Sequence, residues 1–286
     1  MTVINTNVSA TLASNAIARN ERAMSTAMER LSTGKRINSA GDDAAGLAIS
    51  ARMASQVKGL EQAARNAADG ISMIQTVEGA GKEIVNILTR MKELATQAST
   101  GTLSATDRTA LDTEFDELKL EIKRVQENTK WNTMALMDSA ADATTTVNIQ
   151  VGDANGGANQ MAIVFKSWKT VGSQAGGAYG IANASTLDIG ADAATASATI
   201  TSLDTAITTS TSELAKYGAY LNRLEYAQDN LLNVAQNTDA SRSRIEDADY
   251  ASETSELAKT QIISQAGTAM LAQANQIKQT VLALLQ

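Results

Sequence analysis

Paired carboxylates are the side chains best placed for chemistry: Asp42 beside Asp43, and Asp247 two residues before Asp249. Two carboxylates this close can form an acid/base pair or hold a calcium ion. Neither pair lies in the glycine-and-carboxylate loop that a calcium site needs, so both are read as solvated loop charges or as partners of Arg36 and Arg244. The 286 residues include no histidine and no cysteine. That removes the commonest general base, imidazole-activated nucleophiles, thiol chemistry, disulfides and histidine metal sites. The glycines form no phosphate-binding fingerprint. Only carboxylate or lysine chemistry remains, and the chain is read as a non-enzyme without cofactor or metal.

The charge balance narrows the partners. Twenty-four basic and 31 acidic side chains give a net charge of −7 with no basic face, so no nucleic acid is expected. No run of about 20 apolar residues could span a bilayer. The uncharged stretch 279–286 could lie on a membrane surface, but such helices carry a basic face and only Lys278 is near; burial in a bundle or polymer fits better. The first residues lack the basic flank and apolar run of a cleavable signal, which fits the cytoplasm or export by a route that needs none. Hydrophobic residues make up 43% of the chain, yet aromatics only 3%, and proline is absent. Helices built from small residues bury little area each, so stability must come from length and from neighbours.

The elements follow from periodicity. Residues 1 to about 33 read as an amphipathic helix, broken around Gly34, Asn38-Ser39 and Gly41-Asp42-Asp43. Met53, Val57, Leu60, Ala64, Ala67, Ile71 and Ile74 step by three and four, and the pattern resumes from Ile84 to Ala98. This predicts one long helix, with an irregularity at Gly79/Gly81. Ser104 with Asp107 predicts the cap of a further helix carrying Leu111, Phe115, Leu118, Ile122 and Val125. From about 138 to 192 the texture changes: Val147, Ile149 and Val151 alternate with polar residues, 161–165 is a short β-type run, and 153–159 looks like a hairpin turn. Helix returns from about 195 to 236, with Gly218 inside it, and a break around 237–243 precedes a terminal helix. The fold class is mainly α: a long antiparallel helical bundle or coiled coil of the N- and C-terminal halves, with a small β-containing insert at the far tip. The insert lacks a helical seam and is expected to be dispensable for assembly.

Both ends carry apolar heptads. Ile263, Met270, Ile277 and Leu284 recur every seven residues, with Gly267, Ala274 and Val281 four places after the first three; Ile17, Met24 and Leu31 do the same, with Met28 between the last two. Such a repeat is a seam that needs a partner helix, whereas free termini usually fray. Self-assembly through the termini is expected, into a homopolymer.

Five collinear stretches carry a family resemblance: LSTGKRINSAGDDAAGLAI at 31–49, NRLEYAQDNL at 222–231, SRIEDADYA at 243–251, QAGTAMLAQANQ at 265–276 and VLALL at 281–285. They resemble bacterial flagellins over about 1–138 and 195–286. The resemblance implies a filament subunit for swimming motility. Residues 1–42 would be the N-terminal helix and spoke of an inner tube, D0, and 43–138 the N-terminal helices of a surrounding layer, D1. Residues 139–194 would be the variable β-rich insert, 195–242 the C-terminal helix of D1 and 243–286 that of D0. It further implies export through the flagellar type III apparatus, an export chaperone, cap and hook-associated proteins, and an extracellular, flagellar location. Recognition by the host Toll-like receptor for flagellin is implied at Thr89–Leu94, with Arg90 as bidentate anchor, Leu94 as apolar contact, Gln97 beside them and Glu114 from the next helix. Lys278 stands where the family usually has proline, so the last helix could continue there. A hook–filament junction protein shares such ends but matches the C-terminal motifs less completely. For a metallopeptidase carried in the insert, as in some flagellins, the absent histidine rules out the usual zinc motif.

Overall fold

A computed structural model describes residues 7–137, 144–168 and 187–283, with the side chains of Thr144 and of 277–283 left out. Five helices and two small hairpins follow in the order α1 (Val8–Thr33), α2 (Ala44–Ala98), α3 (Ala105–Asn128), β1 (Lys130–Trp131), β2 (Met134–Ala135), β3 (Thr144–Gln150), β4 (Gln160–Lys166), α4 (Ala193–Glu246) and α5 (Tyr250–Ala283). The chain packs as two compact units, one of residues up to Val57 together with those from Gln236 onward, the other of Lys58–Ala235.

Short polar side chains start each helix. Asn7 accepts from the Ala10 amide at 3.1 Å, Asp43 from Gly46 at 2.9 Å, Asp192 from Thr195 at 2.6 Å and Asp249 from Ala251 at 3.0 Å. Ser104 and Asp107 form a reciprocal capping box. Each cap satisfies a first-turn amide that has no partner inside the helix. α1 stops at Gly34, whose φ of +72° lies in the left-handed region open to glycine.

Two sequence-based expectations are corrected. α2 runs through Gly79 and Gly81 without interruption. α4 continues past 237–243 to Glu246, so the break before the terminal helix falls at Asp247–Asp249. Of the two readings of the paired carboxylates, exposed loop charges hold and pairing with Arg36 and Arg244 does not: Asp42 accepts from the Asn38 and Ser39 amides at 3.1 and 2.9 Å, Asp247 accepts from the Ser243 hydroxyl, and Asp43 and Asp249 are helix caps. These amides hold the Asp42 carboxyl below its ordinary pKa. Arg36 instead donates to the Ile245 carbonyl and Arg244 to Ser241. Gly218 would meet nothing within 4 Å if it carried a Cβ, so it marks no close approach.

The β3–β4 hairpin of the insert sits alongside the helices of its unit, not beyond their ends. β3 and β4 pair antiparallel from Thr144↔Lys166 to Gln150↔Gln160. Alternation puts Met161, Ile163 and Phe165 on one face, all buried, and Trp168 beyond the strand is 1% exposed. They share one core with Ile74, Ile84, Leu88 and Met91 of α2, Phe115 and Ile122 of α3, and Leu203, Tyr217 and Leu224 of α4. Phe165 and Tyr217 stack with ring centroids 5.7 Å apart, and burial raises the Tyr217 phenol above its ordinary pKa.

Glycines on one stripe of α2 receive the hairpin. Gly59, Gly70 and Gly81 recur every eleven residues, close to three helical turns. A Cβ would lie 3.1 Å from Asp153 Cβ at Gly59, 3.3 Å from both Ile149 and Leu224 at Gly70, and, at Gly81, 2.8 Å from Leu214 of α4 and 3.2 Å from the Trp168 ring. Asn66 adds a hydrogen bond to the Gln150 carbonyl at 3.3 Å. The last described part of the insert is held by Lys119, which donates to the Leu187 carbonyl at 2.7 Å, and by Thr199, which donates to the Asp188 carbonyl at 3.1 Å.

Because the hairpin completes a core, Phe165→Ala is expected to cost about 3–5 kcal/mol of unfolding free energy, measured by denaturant titration. Gly70→Val is expected to cost about 1–3 kcal/mol by overpacking, with part recovered when Ile149→Ala is combined with it. An additive double variant would mean that the hairpin does not press on that stripe.

Candidate assembly surface

α1 and α5 pack antiparallel along a face of small and polar residues. Asn7 Nδ2 reaches the Ala274 carbonyl at 3.4 Å, Asn20 Nδ2 the Thr260 carbonyl at 2.6 Å, and the Tyr250 hydroxyl the Leu31 carbonyl at 2.7 Å. Arg30 pairs with Glu253 at 3.1 Å. Gly267 faces Ile17, and a Cβ at position 267 would lie 2.9 Å from Ile17 Cγ1. Below this pair, the Arg36 amide donates to the Glu246 carbonyl at 2.6 Å and the Ala248 amide to the Gly34 carbonyl at 2.9 Å, and Lys35 pairs with Glu246. The two ends of the chain are thus tied together by backbone as well as by side chains.

This packing leaves apolar surface uncovered. Among the described residues of this unit only Ala27, Ile37 and Val57 are buried apolar side chains. Val8, Leu12, Met28, Ile262, Ile263 and Met270 are 45–68% exposed, on more than one side of each helix. The expected seam residues divide accordingly. Ile17, Met24, Leu31 and Ala274 are half-buried, whereas Met28, Ile263 and Met270 are exposed. Ile277 and Val281 belong to α5, but their side chains, and the whole of Leu284, lie outside the described residues. The α5 backbone runs on through Lys278 to Ala283. Helices apolar on several sides are stable only when neighbours enclose them, and a patch of this kind on a soluble chain marks an interaction surface. Val8, Leu12 and Ile262 carry no heptad signal, which is why the pattern missed them.

The other expected site lies on α2 and α3. Arg90 donates through Nε and Nη2 to Glu114 at 3.0 and 2.9 Å and through Nη1 to Glu93 at 3.0 Å. The hydrogen bonds it donates to Glu114 and then to Glu93 raise the Arg90 pKa. Gln97 lines an open hollow with Thr89, Lys92, Glu93, Thr96 and Thr100. Leu94 departs from its expected role as an apolar contact: it is 1% exposed, because position 94 falls on the same α2 stripe as Leu88, Met91 and Ala98. Lys92, whose contact sequence reading missed, pairs with Asp204 of α4 at 2.5 Å. Among the described residues no group of three or more acidic side chains could hold a metal ion, and no helix is long and apolar enough to cross a membrane.

Comparison with known proteins agrees with this geometry. The bacterial flagellin N-terminal helical region matches residues 4–142 and the C-terminal helical region residues 200–285. The chain is 44% identical to a flagellin of Halalkalibacterium halodurans over 91% of both proteins, and 40% identical to a flagellin of Bacillus subtilis over 99% of both. It is 39% identical to the flagellar filament 33 kDa core protein of Treponema phagedenis, over 99% of this chain and all of that one. The fold is shared with a putative flagellar hook-associated protein of Vibrio parahaemolyticus at 14% identity, TM-score 0.60, covering 72% of this chain and all of that one. With both terminal helical regions matched in order and flagellins similar over nine-tenths or more of its length, the chain belongs to the bacterial flagellin family.

Proposed function

We propose that this flagellar filament subunit polymerises through the uncovered faces of α1 and α5, which become the inner tube, while the unit built on α2, α3, α4 and the hairpin forms the layer around it. The observation that carries this is the contrast in burial: one unit has a filled core, and the other exposes more large apolar side chains than it buries. Fully covering each such side chain is worth about 1.5–3 kcal/mol, so several neighbours can supply what the α1–α5 contact lacks. The chain's role is structural, not catalytic. Its location is extracellular, reached through the flagellar type III apparatus with a chaperone holding the C-terminal helix and a cap protein at the tip. Hook-associated proteins are its neighbours at the filament base, and neither nucleic acid nor membrane is a partner.

A host Toll-like receptor is the second partner, with the Arg90–Glu114 pair and Gln97 as the contacting groups and Leu94 holding α2 in place beneath them. Arg90 already spends its guanidinium on Glu114. The receptor therefore meets a preformed ion pair in which Nε and both Nη atoms of Arg90 already donate, and the site is covered by neighbouring subunits in the polymer.

Removing residues 252–286 is expected to abolish filaments while 58–235 stays folded, as judged by electron microscopy and circular dichroism; filaments of normal appearance contradict the assignment. Met270→Asp is expected to raise the critical concentration at least tenfold, since it places an unpaired charge in an apolar contact; an unchanged value means that Met270 stays in solvent. Arg90→Asp is expected to lower receptor signalling by free subunit by tenfold or more in a reporter-cell assay, and equal signalling removes Arg90 from the contact.

A further inference from the structure

Without cysteine or histidine, the chain's readily oxidised side chains are its ten methionines and two tryptophans. Most of those described are shielded. Met73, Met91, Met137, Met161 and Trp168 are buried, and Met24, Met53 and Trp131 are half-buried. Three methionines are exposed: Met28 at 51%, Met134 at 44% and Met270 at 66%. Met134 sits in the β1–β2 hairpin. Met28 and Met270 sit on α1 and α5, among the uncovered apolar residues. The helices run antiparallel, with Arg30 beside Glu253 and Asn7 beside Ala274, so the two methionines stand towards opposite ends of the pair.

We propose that Met28 and Met270 are oxidant-sensitive modification sites that decide whether a free subunit can assemble. This rests on the reading that these faces are covered in the filament. Hydrogen peroxide is the co-reactant. A sulfur lone pair attacks one peroxide oxygen, the O–O bond breaks and an S–O bond forms. The proton on the transferred oxygen passes to the departing hydroxide, and water leaves. Sulfur loses two electrons and the peroxide gains them. The product is a polar sulfoxide in place of a flexible apolar thioether. In solvent it is hydrated and harmless to the fold. In an apolar contact between subunits its oxygen would lose that hydration without a donor in return. Subunits in the filament are protected by their neighbours, so the growing polymer admits reduced subunits and excludes oxidised ones. A methionine sulfoxide reductase of each epimer specificity would reverse the block.

The test treats free subunit and assembled filament with the same peroxide dose and quantifies sulfoxide at each methionine by peptide mass spectrometry. Met134 serves as the internal reference. In free subunit all three exposed methionines are expected to convert, and the critical concentration is expected to rise at least tenfold. Repair by the two reductases is expected to restore it. A Met28→Leu/Met270→Leu subunit keeps the apolar bulk and is expected to polymerise after peroxide as before, whereas Met134→Leu stays sensitive. An unchanged critical concentration with both sites converted overturns the proposal, as does a block that the reductases cannot reverse. In filaments Met28 and Met270 are expected to convert far more slowly than Met134. Equal conversion in filaments shows that the faces are not covered, which overturns the assembly reading itself, whatever the free subunit does.

Discussion

At position 267 of α5 there is no side chain where Ile17 of α1 crosses, and a Cβ there would lie 2.9 Å from Ile17. On the shared face of the terminal helices, glycine, asparagine and threonine lie among the half-buried Ile17, Met24 and Leu31. Such a face fixes register through hydrogen bonds, as between Asn20 and the Thr260 carbonyl, but buries little apolar area. Hydrogen bonds of this kind contribute only about 0.5–1.5 kcal/mol each once the loss of water is counted. Val8, Leu12, Met28, Ile262, Ile263 and Met270 are left uncovered. A pair of long helices so constructed is held in register by itself and stabilised by others, which is what a polymer subunit needs at its axis.

The second unit follows the opposite rule. Its helices bury long aliphatic stripes, and the scarce aromatics are concentrated where the hairpin meets α2 and α4: Phe165, Trp168 and Tyr217 are all enclosed. Glycines at 59 and 70 let the hairpin approach the α2 backbone, and Gly81 admits Leu214 of α4 and Trp168. The ion pairs Arg90–Glu114 and Lys92–Asp204 tie α2 to α3 and to α4 on the outside. A filled core of this kind presents a fixed surface to its surroundings, whereas the terminal pair leaves large apolar side chains uncovered.

Helix content, the Ser104 cap and the hairpin strands were legible because each is a local signal: a period of three and four, a capping residue with its partner, an alternation of two. The α4 end was misplaced because Asn237, Thr238 and Ser241 look like breakers, yet the Asn237 carbonyl and the Ser241 hydroxyl are satisfied inside a continuing helix. The insert was read as peripheral because glycine-rich strands lack a helical seam; its tie to the core is long-range and resides in the eleven-residue glycine spacing of α2, a signal present in the sequence but invisible without the hairpin. Heptads marked Met28, Ile263 and Met270, which the structure leaves exposed, whereas Val8, Leu12 and Ile262, exposed on the same helices, fall outside that repeat. Leu94 shows the converse limit: similarity of sequence marked it as a contact, and the α2 periodicity turns it inward.

Backbone amide hydrogen exchange, followed residue by residue in free subunit and in filament, tests most directly whether the terminal pair depends on its neighbours. Amides of residues 8–33 and 250–276 are expected to exchange quickly in free subunit and to become strongly protected in the filament, while those of α2, α3 and α4 between residues 58 and 235 are slow in both. Equal, strong protection of α1 and α5 in the free subunit would contradict the account, because the pair would then be stable on its own contacts.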